Sequence, residues 1–473
     1  MNNLYRIFLV LFITTFFTSC FEDLDDNAIA SKDIKDFVWS GMNHFYYYKD
    51  NVPDLANDRF ASNSEYSQYL NDFSSPEELF GNLLYDPENV DRFSWITNDY
   101  IALEQQFNGI IKSSGYEIDF YPVPGNDSAV FGIVRLVLPN SPAASLGLQR
   151  GQIIDAVNGI TLNDTNKNTL FRPNSYTIHL ANYNNNGTPN DTTDDTIDST
   201  TDTVTLNKET ITENPIYITD VFTVNNAKVG YLMYNGFNAN YNNQLNAAFA
   251  NFQAENIQHM VVDLRYNPGG SVNTAMLLGS MLTGQFNGEI FTKLEYNDNL
   301  QNNNSTYNFS SSFDGNSINS LQLPKVYILT TGNSASASEM LINSLQAYAQ
   351  LEIIHIGEQT VGKSQASITV YDSPDYGRNG ANPNHTYALQ PLVAKTFNKN
   401  DVSVPANGLT PLIPVVENPM NYGVLGNENE PLLATALQHI LDNGRFSNLP
   451  QHTYKRLAHK NNEKPFEKDM YID

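Results

Sequence analysis

The chain has 473 residues, 41% of them hydrophobic and 12% aromatic, enough for about three cores of ordinary domain size. Against 26 lysines and arginines stand 51 aspartates and glutamates, a net charge of −25 at pH 7. That balance argues against nucleic acid or an anionic membrane surface as a partner, and a single cysteine excludes an intrachain disulfide.

Arg6, the apolar run Ile7 to Ile13 and the small residues Thr18-Ser19 predict a signal peptide over 1–20, too short to span a bilayer. The setting of Cys20 resembles the lipobox of bacterial lipoproteins. That resemblance implies lipidation of Cys20, a tether over 21–30, and a cell-envelope location at the outer membrane, facing the periplasm or the surface, with the anchor as the only membrane contact. Residues 31–100 read as a helical N-terminal domain rich in aromatics, Phe37, Trp39 and Phe45 to Tyr48 among them, which are expected to form its core. Ser75-Pro76-Glu77-Glu78 opens a helix, with proline in the first turn and acids near the positive end of the helix dipole.

Residues 101–215 change to strands. Val130 to Leu138 precedes the turn Pro139-Asn140-Ser141-Pro142-Ala143-Ala144, and Gly147-Leu148, Gly151-Gln152 and the hairpin signal Asn158-Gly159 follow. This stretch resembles a PDZ domain of the bacterial protease type, with Gln152 where aspartate is common. Such a domain adds a partner's strand to its sheet and holds the partner's carboxylate on backbone donors; the alternative is a spacer that binds nothing. The Asn/Thr/Asp tract 184–202 is expected to be a mobile polar loop, because its low apolar content cannot offset ordering entropy. Asp191, Asp194, Asp195 and Asp198 do not match an EF-hand spacing, and no metal is expected.

From 216 to 445 the chain reads as α/β. Strands are expected at 228–232, 259–264, 325–330, 353–356 and 366–371, with a strand pair over 385–399. Helices are expected at 243–254, 272–282, 336–349 and 430–442. The polar tail 446–473 is expected to be peripheral.

The chemistry concentrates in Gly332-Asn333-Ser334-Ala335-Ser336-Ala337-Ser338-Glu339 and in Gly362-Lys363. Serine is a weak nucleophile that needs a base beside it, and a lysine serves when burial among apolar groups keeps its amine uncharged. Three serines alternate at 334, 336 and 338, and spacing alone does not choose between them. Ser336 and Glu339 also form the Ser-x-x-Glu capping box, so Ser336 could simply cap the helix. The same position lies at the positive end of that helix, where the Ala337 amide could receive an oxyanion. Gly269 or Gly270, in Asp263-Leu264-Arg265-Tyr266-Asn267-Pro268-Gly269-Gly270, could supply a second donor.

These two stretches resemble the signatures of the C-terminal processing (tail-specific) serine peptidases: an Asp-Leu-Arg-x-Asn-x-Gly-Gly turn, and Ser-Ala-Ser-Glu with a later Gly-Lys. With the PDZ-like part the resemblance spans about 100–440. It implies a multidomain α/β protein with a crotonase-like catalytic domain. It also implies Ser336 as nucleophile, Lys363 as general base, and Ala337 with Gly269 or Gly270 as the oxyanion hole. The substrates implied are polypeptides cut near their C-termini, with no cofactor. The interval from Ser336 to Lys363 is longer than the family's usual one, the excess falling around Tyr348 to Leu351. The glutamine usually four positions after the lysine is Ser367 here; Gln365 shares the strand face and is favoured to orient the amine.

Two rival readings stand beside this one. Gly357 to Ser364 satisfies the P-loop expression, but a P-loop must open a helix, and Ala366 to Tyr371 alternates like a strand. No nucleotide partner is therefore expected. The second rival is a non-catalytic envelope lipoprotein on the same fold that binds peptides or apolar ligands without cutting them.

Overall fold

The computed structural model describes residues 31–188, 191–418, 420–442, 456–457 and 470–472. The residues predicted to form a signal peptide and tether, Cys20 among them, lie outside the described residues. Among the described residues no helix is long and apolar enough to cross a membrane.

The N-terminal part contains α1 (Ser31–Phe45), α2 (Asn63–Asn71) and α3 (Pro76–Asn82). Ser75 caps α3 by accepting the Glu78 amide at 3.1 Å, with Pro76 in the first turn, as its sequence requires. Of the aromatic stretch, Phe37 and Tyr46 are core, packed with Leu55, Leu70, Leu79 and Phe80, while Trp39, Phe45 and Tyr48 are partly buried against it. That core is not self-contained, because Val370 and Leu389 from far down the chain complete it. Strand β1 (Trp95–Thr97) and helix α4 (Tyr100–Phe107) lead into the next unit.

That unit is a five-strand antiparallel path, β2 (Tyr116–Val123), β3 (Asn126–Val137), β4 (Ile153–Val157), β5 (Ser175–Asn184) and β6 (Thr196–Asn207). The short helix α5 (Pro142–Ser145) lies between β3 and β4. Asn158 and Gly159 both take positive φ, 51° and 76°, as the two-residue hairpin demands. The tract expected to be a loop is loop or turn at its described residues 185–188 and 191–195 but strand from Thr196 on, where β6 begins and pairs with β5 from Asn184↔Thr196 to Ser175↔Asn207. Threonine alternation and main-chain pairing hold it in place of a buried face. Thr177 and Thr205, for example, share a hydroxyl hydrogen bond of 2.9 Å across the strands.

The third unit holds β7 (Ile216–Val224), β8 (Ala227–Tyr234), α6 (Asn242–Ala254), β9 (His259–Asp263), β10 (Gly270–Ser271), α7 (Val272–Leu282), β11 (Ile290–Tyr296), β12 (Ser305–Asn308) and β13 (Lys325–Thr330). It continues with α8 (Ala337–Gln346), β14 (Glu352–Gly357), β15 (Gln365–Ser367), β16 (Val370–Tyr371), β17 (Ala388–Gln390), β18 (Leu392–Phe397), β19 (Ile413–Pro414), α9 (Pro431–Leu441) and β20 (Met470–Tyr471). One sheet runs β7-β8-β9-β13-β14-β19, parallel from β8 to β19. A second runs β10-β20-β15-β18-β11-β12, and β1-β17-β16 form a small third. Helix α7 is apolar nearly all round, and both it and the more polar α8 are almost wholly buried against the main core.

Three expectations are corrected here. The strand predicted over 366–371 breaks at Ile368-Thr369, and the pair predicted over 385–399 does not pair with itself. Instead β17 joins β1 and β16, while β18 joins β11 and β15. Nor are the described tail residues peripheral. Leu457 donates its amide to Phe120 O at 2.8 Å on β2, and Met470 is fully buried in the main core.

Candidate active site

Three adjacent parallel strands, β9, β13 and β14, deliver the sequence motifs to one edge of the sheet. The Asp263 to Gly270 turn leaves the C-terminal end of β9, the serine turn leaves β13, and the loop to Lys363 leaves β14. Crevices at the C-terminal ends of parallel strands are where α/β sheets bind ligands.

The serine turn is fixed by its neighbours. Ser334 Oγ donates to Leu264 O at 2.7 Å, and Ser338 Oγ to Asn267 O at 3.1 Å. The Ala335 amide reaches the same Asn267 carbonyl at 3.1 Å. Two of the three alternating hydroxyls are thus tied to main chain, whereas Ser336 Oγ is buried with no hydrogen-bond partner of ordinary geometry. Ser336 adopts φ 66°, ψ −117°, outside the extended backbone of an ordinary N-cap and a costly conformation for a residue with a side chain. The capping-box pattern is present, and its firm half is the Ser336 amide donating to Glu339 Oε2 at 2.7 Å.

Glu339 does more than close that box. Its carboxylate also accepts the Lys363 amide at 2.9 Å, the Gly362 amide at 2.6 Å and the Thr360 hydroxyl at 2.5 Å. One carboxylate therefore locks the serine turn to the lysine loop. Burial pushes its pKa above the ordinary carboxylate range, and the Thr360 hydroxyl and the three amides pull against that shift.

Lys363 is 1% exposed, with Nζ 5.4 Å from the centre of the Phe93 ring. Arg92 donates to the carbonyls of Val361, Gly362 and Ala406, at 3.3, 3.3 and 2.9 Å. The N-terminal part thus builds one wall of the lysine loop, and nothing in the sequence around Arg92-Phe93 signals it. Gly362 has φ 91°, and a Cβ there would stand 2.1 Å from Ala406 O, so only glycine fits this crossing. Gln365 donates its amide to the Tyr48 hydroxyl at 2.6 Å, and the Ser367 hydroxyl donates to Met470 O at 3.1 Å.

Of the glycine pair, the Gly269 amide is occupied by Asn267 Oδ1 at 2.9 Å. Gly269 O and the Ser271 amide both bond Phe237, each at 2.8 Å, so the Gly270 N–H lies on the opposite edge of the strand. Gly270 sits at φ 128°, and a Cβ would come 2.3 Å from Phe237 O. Ala337 opens α8, and its amide belongs to the first turn, which has no intrahelical acceptor. Upstream, Arg265 is fully buried and holds the turn through Asp263 at 2.7 Å and Glu430 at 2.5 Å.

Beyond Lys363-Ser364 the chain enters strand β15, not a helix, so the P-loop pattern has no helix terminus to offer a phosphate. Among the described residues no group of histidine, cysteine, aspartate or glutamate is arranged to hold a metal ion.

Residues 228–415 match the model of Peptidase family S41, residues 33–95 that of the Peptidase S41 N-terminal domain, and residues 133–170 that of a PDZ domain. The chain is 25% identical over 352 residues to a carboxyl-terminal-processing protease of Picosynechococcus, covering 74% of this chain and 76% of that one. It is 28% identical over 213 residues to a carboxy-terminal-processing protease of Bartonella bacilliformis, covering 43% of each. The crystal structure of a candidate S41 protease from Bacteroides fragilis superposes with a TM-score of 0.68 at 27% identity, covering 86% of this chain and 97% of the other.

Proposed function

We propose that this chain, which belongs to peptidase family S41, is a serine endopeptidase that cuts polypeptides near their C-termini through Ser336 and Lys363. The observation that carries this reading is the sorting of the three serines. Ser334 and Ser338 are tied to main chain, while Ser336 is held at an elbow with its hydroxyl in no hydrogen bond of ordinary geometry. Glu339 ties that elbow to the Lys363 backbone.

In the proposed reaction Ser336 Oγ attacks the scissile carbonyl carbon while Lys363 Nζ takes the hydroxyl proton. The oxyanion is received by the Ala337 amide and by Gly270, the glycine of the pair whose amide is not bound to Asn267. Collapse breaks the C–N bond, and Lys363 returns the proton to the leaving amine. Water then attacks the serine ester with Lys363 again as base, releasing the new carboxylate and restoring Ser336. Gln365 is proposed to steady the amine from the neighbouring strand, itself held by Tyr48. The PDZ-like unit recruits or gates the substrate, and lipidated Cys20 holds the enzyme at the cell envelope.

Mass spectrometry of products from peptide and protein substrates tests the reading. Wild type should give fragments ending at defined internal bonds, and Ser336→Ala and Lys363→Ala should give none while keeping the wild-type melting temperature within a few degrees. Equal product from wild type and Ser336→Ala would overturn it.

A further inference from the structure

Strand β20 holds a place that only an added strand can hold. Among the described residues it is the sole link between β10, which carries Gly270, and β15, which begins two residues after Lys363. Met470 pairs in parallel with Gly270 and Tyr471 with Ser271, and Ser367 of β15 also pairs with Tyr471. Without these residues β10 and β15 would stand two strand spacings apart, about 9.5 Å, with both facing edges unpaired. The open edge of β10 is the one toward which the Gly270 amide points.

We infer that the slot between β10 and β15 is the substrate-strand site of the proposed peptidase, and that Met470–Ile472 of this chain is its resident occupant. The inference rests on the reading of Ser336 and Lys363 as the reacting pair. Strand addition needs main-chain hydrogen bonds for affinity and side-chain pockets for selectivity, and the slot supplies both. Ser367 Oγ donates to Met470 O at 3.1 Å, and the Ile472 amide donates to Ser367 O at 3.1 Å. Met470 is fully buried in the main core, and Ile472 packs at its edge. Tyr471 stacks on Phe107 with ring centres 4.5 Å apart.

The sequence agrees with such a role, because Met470-Tyr471-Ile472 is an apolar island between Asp469 and Asp473 in an otherwise polar tail. With the slot filled, Ser336 is fully buried and Lys363 is 1% exposed, and on this proposal a substrate strand enters by displacing the segment. A tethered segment acts at roughly millimolar effective concentration, so even a weak strand would keep the site closed to poor substrates. The ligand class is therefore an extended peptide with an unbranched apolar residue, then an aromatic and then an aliphatic one.

The test uses the full chain in a Ser336→Ala background, so that nothing is cut. The probe is a fluorescein-labelled peptide, Glu-Lys-Asp-Met-Tyr-Ile-Asp, read by anisotropy. Adding Met470→Asp or Ile472→Pro to the chain should tighten probe binding at least about tenfold, and a probe with aspartate in place of its methionine should not bind. With Ser336 restored, the same tail substitutions should raise hydrolysis of a reporter peptide several-fold. Ile472→Pro removes one hydrogen bond at a half-buried position and carries the test if Met470→Asp fails to fold. Probe binding that ignores both tail substitutions, or an aspartate probe that binds equally well, overturns the proposal. Tail-dependent binding without hydrolysis upholds the slot and sinks the peptidase reading. Hydrolysis indifferent to the tail does the reverse.

Discussion

A serine with φ 66° and a buried hydroxyl that makes no hydrogen bond of ordinary geometry costs stability on two counts, strain and desolvation. What holds it there is Glu339, whose four donors span the serine turn and the lysine loop. Replacing Glu339 by Gln keeps the shape but turns one acceptor into an NH2 group facing donors. We expect Glu339→Gln to lose about 1–3 kcal/mol of stability in urea titrations. We also expect peptide turnover to fall on the order of 10²-fold, since small displacements of reacting groups are that expensive. Unchanged kcat in a folded Glu339→Gln would show that the carboxylate only caps the helix. The residues of this site were legible from sequence to different degrees. The pattern Ser-x-x-Glu pointed to Glu339 as a cap, and the glycine pair pointed to close backbone approach. The Thr360, Gly362 and Lys363 ends of the carboxylate's reach depend on three strands meeting at one edge, which spacing along the chain does not encode. Arg92 and Phe93 were invisible for the same reason, because their partners lie about 270 residues away.

At the scale of elements, the apolar strands and the helices buried on all sides were legible because their patterns are long and their environment uniform. The 272–282 helix and the 325–330 strand have the expected bounds. Tract 184–202 misled because its strand is held by pairing with β5 and not by a hydrophobic face. Strand β14 carries its own cost: His355 is 1% exposed, with Nε2 2.6 Å from Thr330 Oγ1, and burial pushes its imidazole down to about 4. Between that value and 6.5 the unfolded chain binds a proton that the folded one refuses, so stability rises with pH across this window. The full span is worth about 3 kcal/mol. Wild type should therefore lose about that much more stability than His355→Gln between pH 7 and pH 4, in parallel denaturant titrations. Identical pH profiles would show that the imidazole titrates normally inside the sheet. Helix α9 makes a second prediction. Its N-cap Glu430 accepts the Leu433 amide at 2.9 Å and grips Arg265 below the Asp263 turn. Glu430→Gln leaves a fully buried guanidinium short of charge and should lower stability by about 3 kcal/mol, seen as a shifted urea midpoint at constant m.

Across the whole molecule, the three units are joined by buried polar groups as much as by apolar ones. Between the PDZ-like sheet and the catalytic unit, Arg150 bonds Glu417 at 2.7 Å, the Tyr266 hydroxyl at 2.5 Å and Tyr422 O at 3.0 Å. The Tyr422 hydroxyl reaches back to Asp119 at 3.0 Å, and Asp119 is shared with Arg135 and Arg456. Arg456 also pairs with Glu358 at 2.6 Å on the loop that leaves β14. Such a network is stable only while complete, since removing one member leaves the others desolvated and unpaired. With it intact, the PDZ-like and catalytic units should melt together in one calorimetric transition. Arg150→Ala strips Glu417 of its main partner at the junction, while the core of the PDZ-like sheet, built on Phe120, Val134, Ile154 and Ile178, is untouched. The loss of about 3–5 kcal/mol should therefore fall on the junction, and the single transition should divide into two, the lower one moving by several degrees. The dividing transition is the informative signal, because damage spread through the whole fold would lower one peak without splitting it. A lone peak in Arg150→Ala at the wild-type temperature would mean that apolar contact, and not this charge network, binds the two units into one body.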